Sequence, residues 1–151
     1  MKNLKNLINQ ITEFGVNPNV AADNKTDEIQ KLLVQLYSEF LNIKADFDEK
    51  DYEEEPDFKY QVIRQNVKSN FPDLSWYSKI LDSNKLDSNT NTGIGDALDD
   101  LTDIIKDLLA IKWRMETTSE KDAIWHFELS MRTHSEQHLV DFLKYLKDKN
   151  G

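Results

Sequence analysis

The second half of the chain contains the run Gly95-Asp96-Ala97-Leu98-Asp99-Asp100-Leu101-Thr102-Asp103-Ile104-Ile105-Lys106-Asp107-Leu108. At about 100° per residue, the apolar side chains of this run share one helix face, which carries Leu98, Leu101, Ile105 and Leu108. The aspartates form a narrow stripe on the opposite side, made of Asp96, Asp100, Asp103 and Asp107. The run therefore predicts an amphipathic helix from about Asp96 to Met115, with an acidic stripe that points away from the core.

A second long helix is predicted to follow. Ser119, with Asp122 three residues later, is typical of a helix N-terminus, and the apolar spacing continues to about Lys147. If residues 117–119 form the turn, the two helices make a long antiparallel hairpin. In that register Asp100 faces His134, and Asp96 faces His138.

The first half of the chain predicts three shorter helices from the same apolar spacing. The first ends at Gly15, the second has Thr26 as its N-cap, and the third begins at Pro56. Residues 73–81 are predicted to be a connector, and residues 82–95 a polar loop that is mobile. Because no period-two strand pattern is visible, we predict an all-α fold in which residues 1–151 form a single domain, a bundle of about five helices.

Composition limits the functions to consider. The chain has 151 residues, no cysteine, and a formal net charge of -9. The absence of cysteine favours a reducing cytoplasm, and no run approaches the ~20 apolar residues of a membrane span. The N-terminal residues also lack the continuous apolar run of a signal peptide. The negative charge disfavours nucleic acid and anionic membranes as partners and favours a basic protein.

Part of the sequence resembles a known family. The residues that carry the resemblance are Gly95 to Leu108, the triplet Trp125-His126-Phe127, and His134 to His138 before Leu139-Val140-Asp141-Phe142-Leu143. A weaker likeness lies in Phe71 to Tyr77. In these residues the chain resembles a bacterial family catalogued as domain of unknown function 5063. The resemblance covers mainly the C-terminal half and implies an all-helical bacterial protein of unassigned function.

The histidine pair His134 and His138 is a candidate metal site. Their four-residue separation places both rings on one helix face, and Asp100 or Asp103 from the preceding helix would complete the ligand set. Such ligands suit zinc, manganese or iron. The alternative is a structural polar network along the same helices, which would include Glu128, Ser135, Asp141, Asp96 and Asp99. The sequence leaves both interpretations open.

Two functions compete. The first is a non-catalytic interaction protein that docks a basic protein partner through its acidic segment, residues 46–57, or through the acidic stripe from Asp96 to Asp107. This segment is predicted to be mobile, and its candidate binding residues are Asp48, Glu49, Asp51, Glu53, Glu54 and Glu55. The alternative is a metal-dependent enzyme of hydrolase type that uses the Asp/His site between the last two helices.

Overall fold

The computed structural model describes residues 1–86 and 91–150. Its elements, in chain order, are α1 (Lys2–Val16), α2 (Lys25–Asn42), α3 (Tyr60–Asn70), β1 (Trp76–Ile80), β2 (Thr92–Asp96), α4 (Ala97–Thr117), α5 (Glu120–Ser130), a π-helical turn (Met131–Ser135) and α6 (Glu136–Lys149). The predicted helical fold is thus confirmed in its main feature. None of the described helices is long and apolar enough to cross a membrane.

Helix α4 is the central element of the packing, since it contacts α1, α3, α5 and α6. Its side chains Leu101 and Ile105 are fully buried, as the apolar face in the sequence predicts, and Ile104, which that face did not include, is fully buried as well. The end of α1 approaches α4 closely at Gly15, where an added Cβ would lie 2.5 Å from Ile105 Cγ2. Glycine is therefore required at this crossing, because no side chain fits between the two helices.

A small antiparallel sheet corrects the all-α prediction. Strands β1 and β2 pair from Trp76 opposite Asp96 to Ile80 opposite Thr92. The connector predicted at residues 73–81 is thus largely a strand, and residues 92–95 of the predicted loop form a second strand. Residues 87–90 of that loop lie outside the described residues. Sequence analysis missed the sheet because its outer face is apolar and exposed, with Trp76 and Ile94 on the solvent side.

Two predicted helix starts are wrong. Asn24, rather than Thr26, caps α2, because its side chain accepts a hydrogen bond from the Asp27 backbone N–H at 3.1 Å. Helix α3 begins at Tyr60 rather than at Pro56. The preceding residues form neither helix nor strand, and the Glu55 carboxylate among them is bound by the Arg114 guanidinium of α4.

The C-terminal helix has a local irregularity. The backbone remains helical from α5 through the π-helical turn into α6, and Ser119 caps α5 as predicted, since Ser119 Oγ accepts from the Asp122 N–H at 2.9 Å. A π-helical turn holds one more residue than an α-helical turn. The side chains of α6 are therefore rotated relative to those of an uninterrupted α-helix.

The acidic segment contains neither helix nor strand and is attached to the helices at several points. The backbone N–H of Ala45 donates to Glu128 at 3.1 Å, and the Ser119 hydroxyl donates to Asp48 at 2.5 Å. The ring of Phe47 packs edge-on against Trp125, with centroids 5.0 Å apart. The mobility of this segment stays a prediction.

Arg114 is the buried cation that joins this segment to the helices. It is 8% exposed and binds both Glu55 and Asp122, the latter with a nitrogen–oxygen distance of 3.1 Å. Replacing Arg114 by alanine should lower the free energy of unfolding by about 3–5 kcal/mol, because Asp122 would be left buried without its cation. Urea unfolding followed by circular dichroism measures this loss.

The matched control is Lys144→Ala, which removes a cation from an exposed pair with Asp148. We expect the free energy of unfolding of that variant to lie within about 0.5 kcal/mol of the value for the unaltered protein. Equal losses in the two variants would contradict a stabilising role for the buried pair.

Candidate metal centre

Two aspartate–histidine pairs lie between α4 and the C-terminal helix. His138 Nδ1 is 2.7 Å from Asp100 Oδ1, and His134 Nδ1 is 2.7 Å from Asp107 Oδ2. The predicted register is therefore wrong, since Asp100 faces His138 rather than His134. Asp96 does not reach His138. The extra residue in the π-helical turn accounts for part of this shift.

The remaining ring nitrogens of the two histidines converge. His134 Nε2 and His138 Nε2 are 3.2 Å apart, and Asp103 Oδ2 lies 3.5 Å from His138 Nε2. One ligand atom from each of these three residues lies within 4.8 Å of the others. Two ligands bonded at ~2.1 Å to a tetrahedral ion stand about 3.4 Å apart, so these spacings fit a common metal.

The protonation of the rings strengthens this interpretation. Each Nδ1 faces a carboxylate, which favours the tautomer with the hydrogen on Nδ1 and a lone pair on Nε2. Two lone pairs at 3.2 Å repel each other unless a proton or a cation lies between them. The arrangement therefore attracts either a shared proton or a metal ion, and the carboxylates behind the rings are the usual outer partners of metal-bound histidine.

The carboxylates of Asp100 and Asp107 each accept a second hydrogen bond, in addition to the one from a histidine. Asp100 is 4% exposed and accepts a hydrogen bond of 2.5 Å from the Tyr77 hydroxyl. Asp107 accepts one of 2.6 Å from the hydroxyl of Ser135. These contacts fix the carboxylates, which in turn fix the orientation of both imidazoles.

The electrostatics of the cluster favour an added cation. Burial raises the pKa of Asp103, and the charges of Asp107 and Asp99 act in the same direction, against the opposing effect of the two histidines. The hydrogen bond that His138 donates to the Asp100 carboxylate raises the pKa of His138, helped by the negative charge of Asp103 and opposed by burial. Three carboxylates around two imidazoles leave excess negative charge, which a divalent ion would neutralise.

The predicted network residues lie mostly elsewhere. Asp96 caps α4 and accepts a hydrogen bond from the Trp76 indole N–H, while Asp99 binds Tyr60 and Arg64. Glu128 binds Ala45 and Arg132, and Asp141 binds Lys79 and Gln137. Of the five, the structure brings only the buried Ser135 to the histidines, through Asp107. The acidic stripe is also less exposed than predicted, because Asp100 is buried.

The acids predicted to bind a partner divide into two groups. Asp48 and Glu55 are bound within the protein, by Ser119 and Arg114 respectively. The hydrogen bond from Ser119, with others from Lys50 and Tyr52, lowers the pKa of Asp48. The other four are exposed, namely Glu49, Asp51, Glu53 and Glu54.

Sequence analysis did not assign two residues of the cluster. Asp107 was detectable, because Asp103 and Asp107 have the same four-residue spacing as His134 and His138 and therefore match them across two antiparallel helices. Tyr77 gave no local signal, since it reaches Asp100 only through the unpredicted sheet.

Comparison of the chain with protein-family models, curated proteins and solved structures finds no match. The resemblance to domain of unknown function 5063 therefore stays a prediction, and the function has to be argued from these residues.

The pairing of Asp100 with His138 predicts a specific titration. In the metal-free protein, Asp100→Asn should bring the pKa of His138 down towards its ordinary value, because the amide lacks the charge that stabilises the imidazolium. Histidine NMR signals followed against pH measure this change. His126 is the internal reference, since burial and the Arg114 charge lower its pKa.

The effect on stability has a defined sign. Because the folded-state pKa of His138 lies above the unfolded value of about 6.5, its protonation stabilises the fold below that pH. This contribution is lost as the pH rises through the folded-state pKa. An unchanged His138 titration in Asp100→Asn would contradict the pairing.

Proposed function

We propose that this protein binds a divalent metal ion through Asp103, His134 and His138. The observation that supports it is the convergence of the two Nε2 atoms while both Nδ1 atoms are held by carboxylates. Two imidazoles and one carboxylate suit zinc, manganese or iron. Three protein ligands leave coordination positions open, as catalytic rather than structural sites do.

We infer that α4 and the C-terminal helix form the long antiparallel hairpin that this site needs. Asp100 pairs with His138, whereas Asp107, further along α4, pairs with His134, earlier in the chain than His138. Contacts that run in opposite directions along the two segments indicate antiparallel packing.

The open site favours a metal-dependent hydrolase. A divalent ion held by Asp103, His134 and His138 would supply Lewis acidity for polarising a substrate oxygen or a water. The protein's own residues orient the ligands: Asp100 and Asp107 fix the rings, and Tyr77 and Ser135 fix those carboxylates. The positive charge of the divalent ion would also allow an anionic substrate to approach this acidic surface.

Metal binding is tested on protein purified without an affinity tag. We expect isothermal titration with zinc, and then with manganese, to show one site, and the site to vanish in His134→Ala/His138→Ala. The control is His126→Ala, which removes the third histidine of the chain. Asp107→Asn should bind the metal about 10–100-fold more weakly, because His134 loses its outer carboxylate.

A titration without saturable binding would contradict the proposal. So would binding that survives the double variant, or that is lost equally in His126→Ala. In those cases a proton shared by the two Nε2 atoms removes the repulsion between their lone pairs, and the cluster is a structural network.

We also propose that the acidic segment docks a basic protein. The observation that supports this second function is the anchoring of the segment at Asp48 and at Glu55, which leaves four exposed carboxylates between those two points. With a formal charge of -9, the protein would attract such a partner over a distance. A bacterial cytoplasm fits this proposal, since the chain has no cysteine to be oxidised.

Docking is tested by changing charge at matched positions. Four exposed acids of the segment are converted to amides: Glu49, Asp51, Glu53 and Glu54. The control variant converts four exposed acids elsewhere: Glu13, Asp23, Asp27 and Glu116. Both variants reach the same net charge of -5, from -9 plus four.

We expect poly-lysine of defined length to bind the segment variant several-fold more weakly than the control variant, with affinity that falls as salt increases. Equal weakening in both variants would show that only net charge matters and would contradict docking at the segment.

A further inference from the structure

A cleft of about 690 Å³ lies between the hairpin of β1 and β2 and the C-terminal part of α6. Its lining includes Tyr77, Ile80, Thr92, Lys144, Tyr145 and Lys149. Sites for small molecules have volumes of about 300–1,000 Å³ and mostly apolar walls. The size and the walls of this cleft therefore match a small-molecule site that is separate from the metal ligands.

The two tyrosines provide an aromatic surface. The rings of Tyr77 and Tyr145 have centroids 5.5 Å apart. Both hydroxyls are directed at the protein, because Tyr77 donates to Asp100 and Tyr145 accepts from the Ser75 backbone N–H at 3.1 Å. The rings, rather than the hydroxyls, are thus the groups that a ligand would contact.

The charges at the rim differ from those of the whole protein. The cleft has three lysines, Lys79, Lys144 and Lys149, against two carboxylates, Asp141 and Asp148, whereas the chain as a whole is strongly negative. Lys79 is 3.4 Å from Asp141, and Lys144 pairs with Asp148 where both side chains are well exposed. An exposed pair such as Lys144–Asp148 contributes little in water, so the Lys144 ammonium group can turn to an added anion.

A second cleft provides a contrast. It has a volume of about 540 Å³ and is lined by acids of α1, α2 and the segment between them, among them Glu13, Asp23 and Asp27. An anion would be repelled there. Attraction for anions is therefore a local property of the hairpin cleft, which combines lysines with aromatic walls.

We propose that the hairpin cleft binds a small apolar anion, an aromatic or aliphatic molecule with one carboxylate, sulfonate or phosphate group. The apolar part lies against the rings of Tyr77 and Tyr145, and the anionic group lies at Lys144 and Lys149. Binding requires no metal ion, so this site stands or falls independently of the metal centre.

The test uses the fluorescent arylsulfonate 8-anilinonaphthalene-1-sulfonate with the full chain in buffer containing a chelator. We expect saturable binding at one site. The variant Lys144→Gln/Lys149→Gln should bind at least about fivefold more weakly, since each exposed ion pair contributes roughly a two- to fivefold factor.

Two controls locate the dye. Lys5→Gln/Lys31→Gln removes two exposed lysines on other faces and should leave the affinity unchanged. Ile94→Ser removes an apolar side chain from the outer face of the hairpin and should also have no effect. Circular dichroism confirms that each variant is folded, because partly unfolded proteins bind this dye as well.

Three results would overturn the proposal. The first is an absence of saturable binding to the unaltered protein. The second is an equal loss in the two lysine variants, which would show an effect of net charge alone. The third is a loss confined to Ile94→Ser, which would place the dye on the outer face of the hairpin.

Discussion

The carboxylate of Asp100 is buried where three parts of the fold meet. It belongs to α4, accepts a hydrogen bond from Tyr77 of the hairpin, and pairs with His138 of α6. A buried carboxylate is tolerated only when its oxygens have partners, and both oxygens of Asp100 have one. The position of the hairpin and the orientation of a candidate metal ligand therefore depend on the same side chain.

This constraint explains why the small sheet matters in a helical protein. Tyr77 crosses Gly95 so closely that an added Cβ would collide with its ring carbon Cζ. The absence of a side chain at Gly95 allows the phenol to reach Asp100. The same ring forms a wall of the hairpin cleft. The metal centre and the cleft thus share a residue, although each is proposed from different observations.

Sequence periodicity located the helices, apart from the starts of α2 and α3, and it identified part of the candidate site. The apolar face of α4 and the spacing of His134 and His138 identified the two segments that form the cluster. The predicted register was wrong partly because the π-helical turn adds one residue, and such a turn leaves no mark in the pattern of apolar residues. Sequence analysis missed the sheet because its exposed face is apolar and the inner face of β2 holds two glycines, Gly93 and Gly95, which reverses the usual alternation. The contact of Tyr77 with Asp100 depends on that sheet, so sequence analysis could not identify Tyr77 as part of the site.

The central claim is a metal ion held by Asp103, His134 and His138. Its most direct test is a crystal structure of the protein grown with zinc or manganese, with data collected at the absorption edge of the metal. The account predicts one strong anomalous peak within about 2.3 Å of both Nε2 atoms and of an Asp103 carboxylate oxygen. A structure without such a peak, or with the peak at other residues, would contradict it.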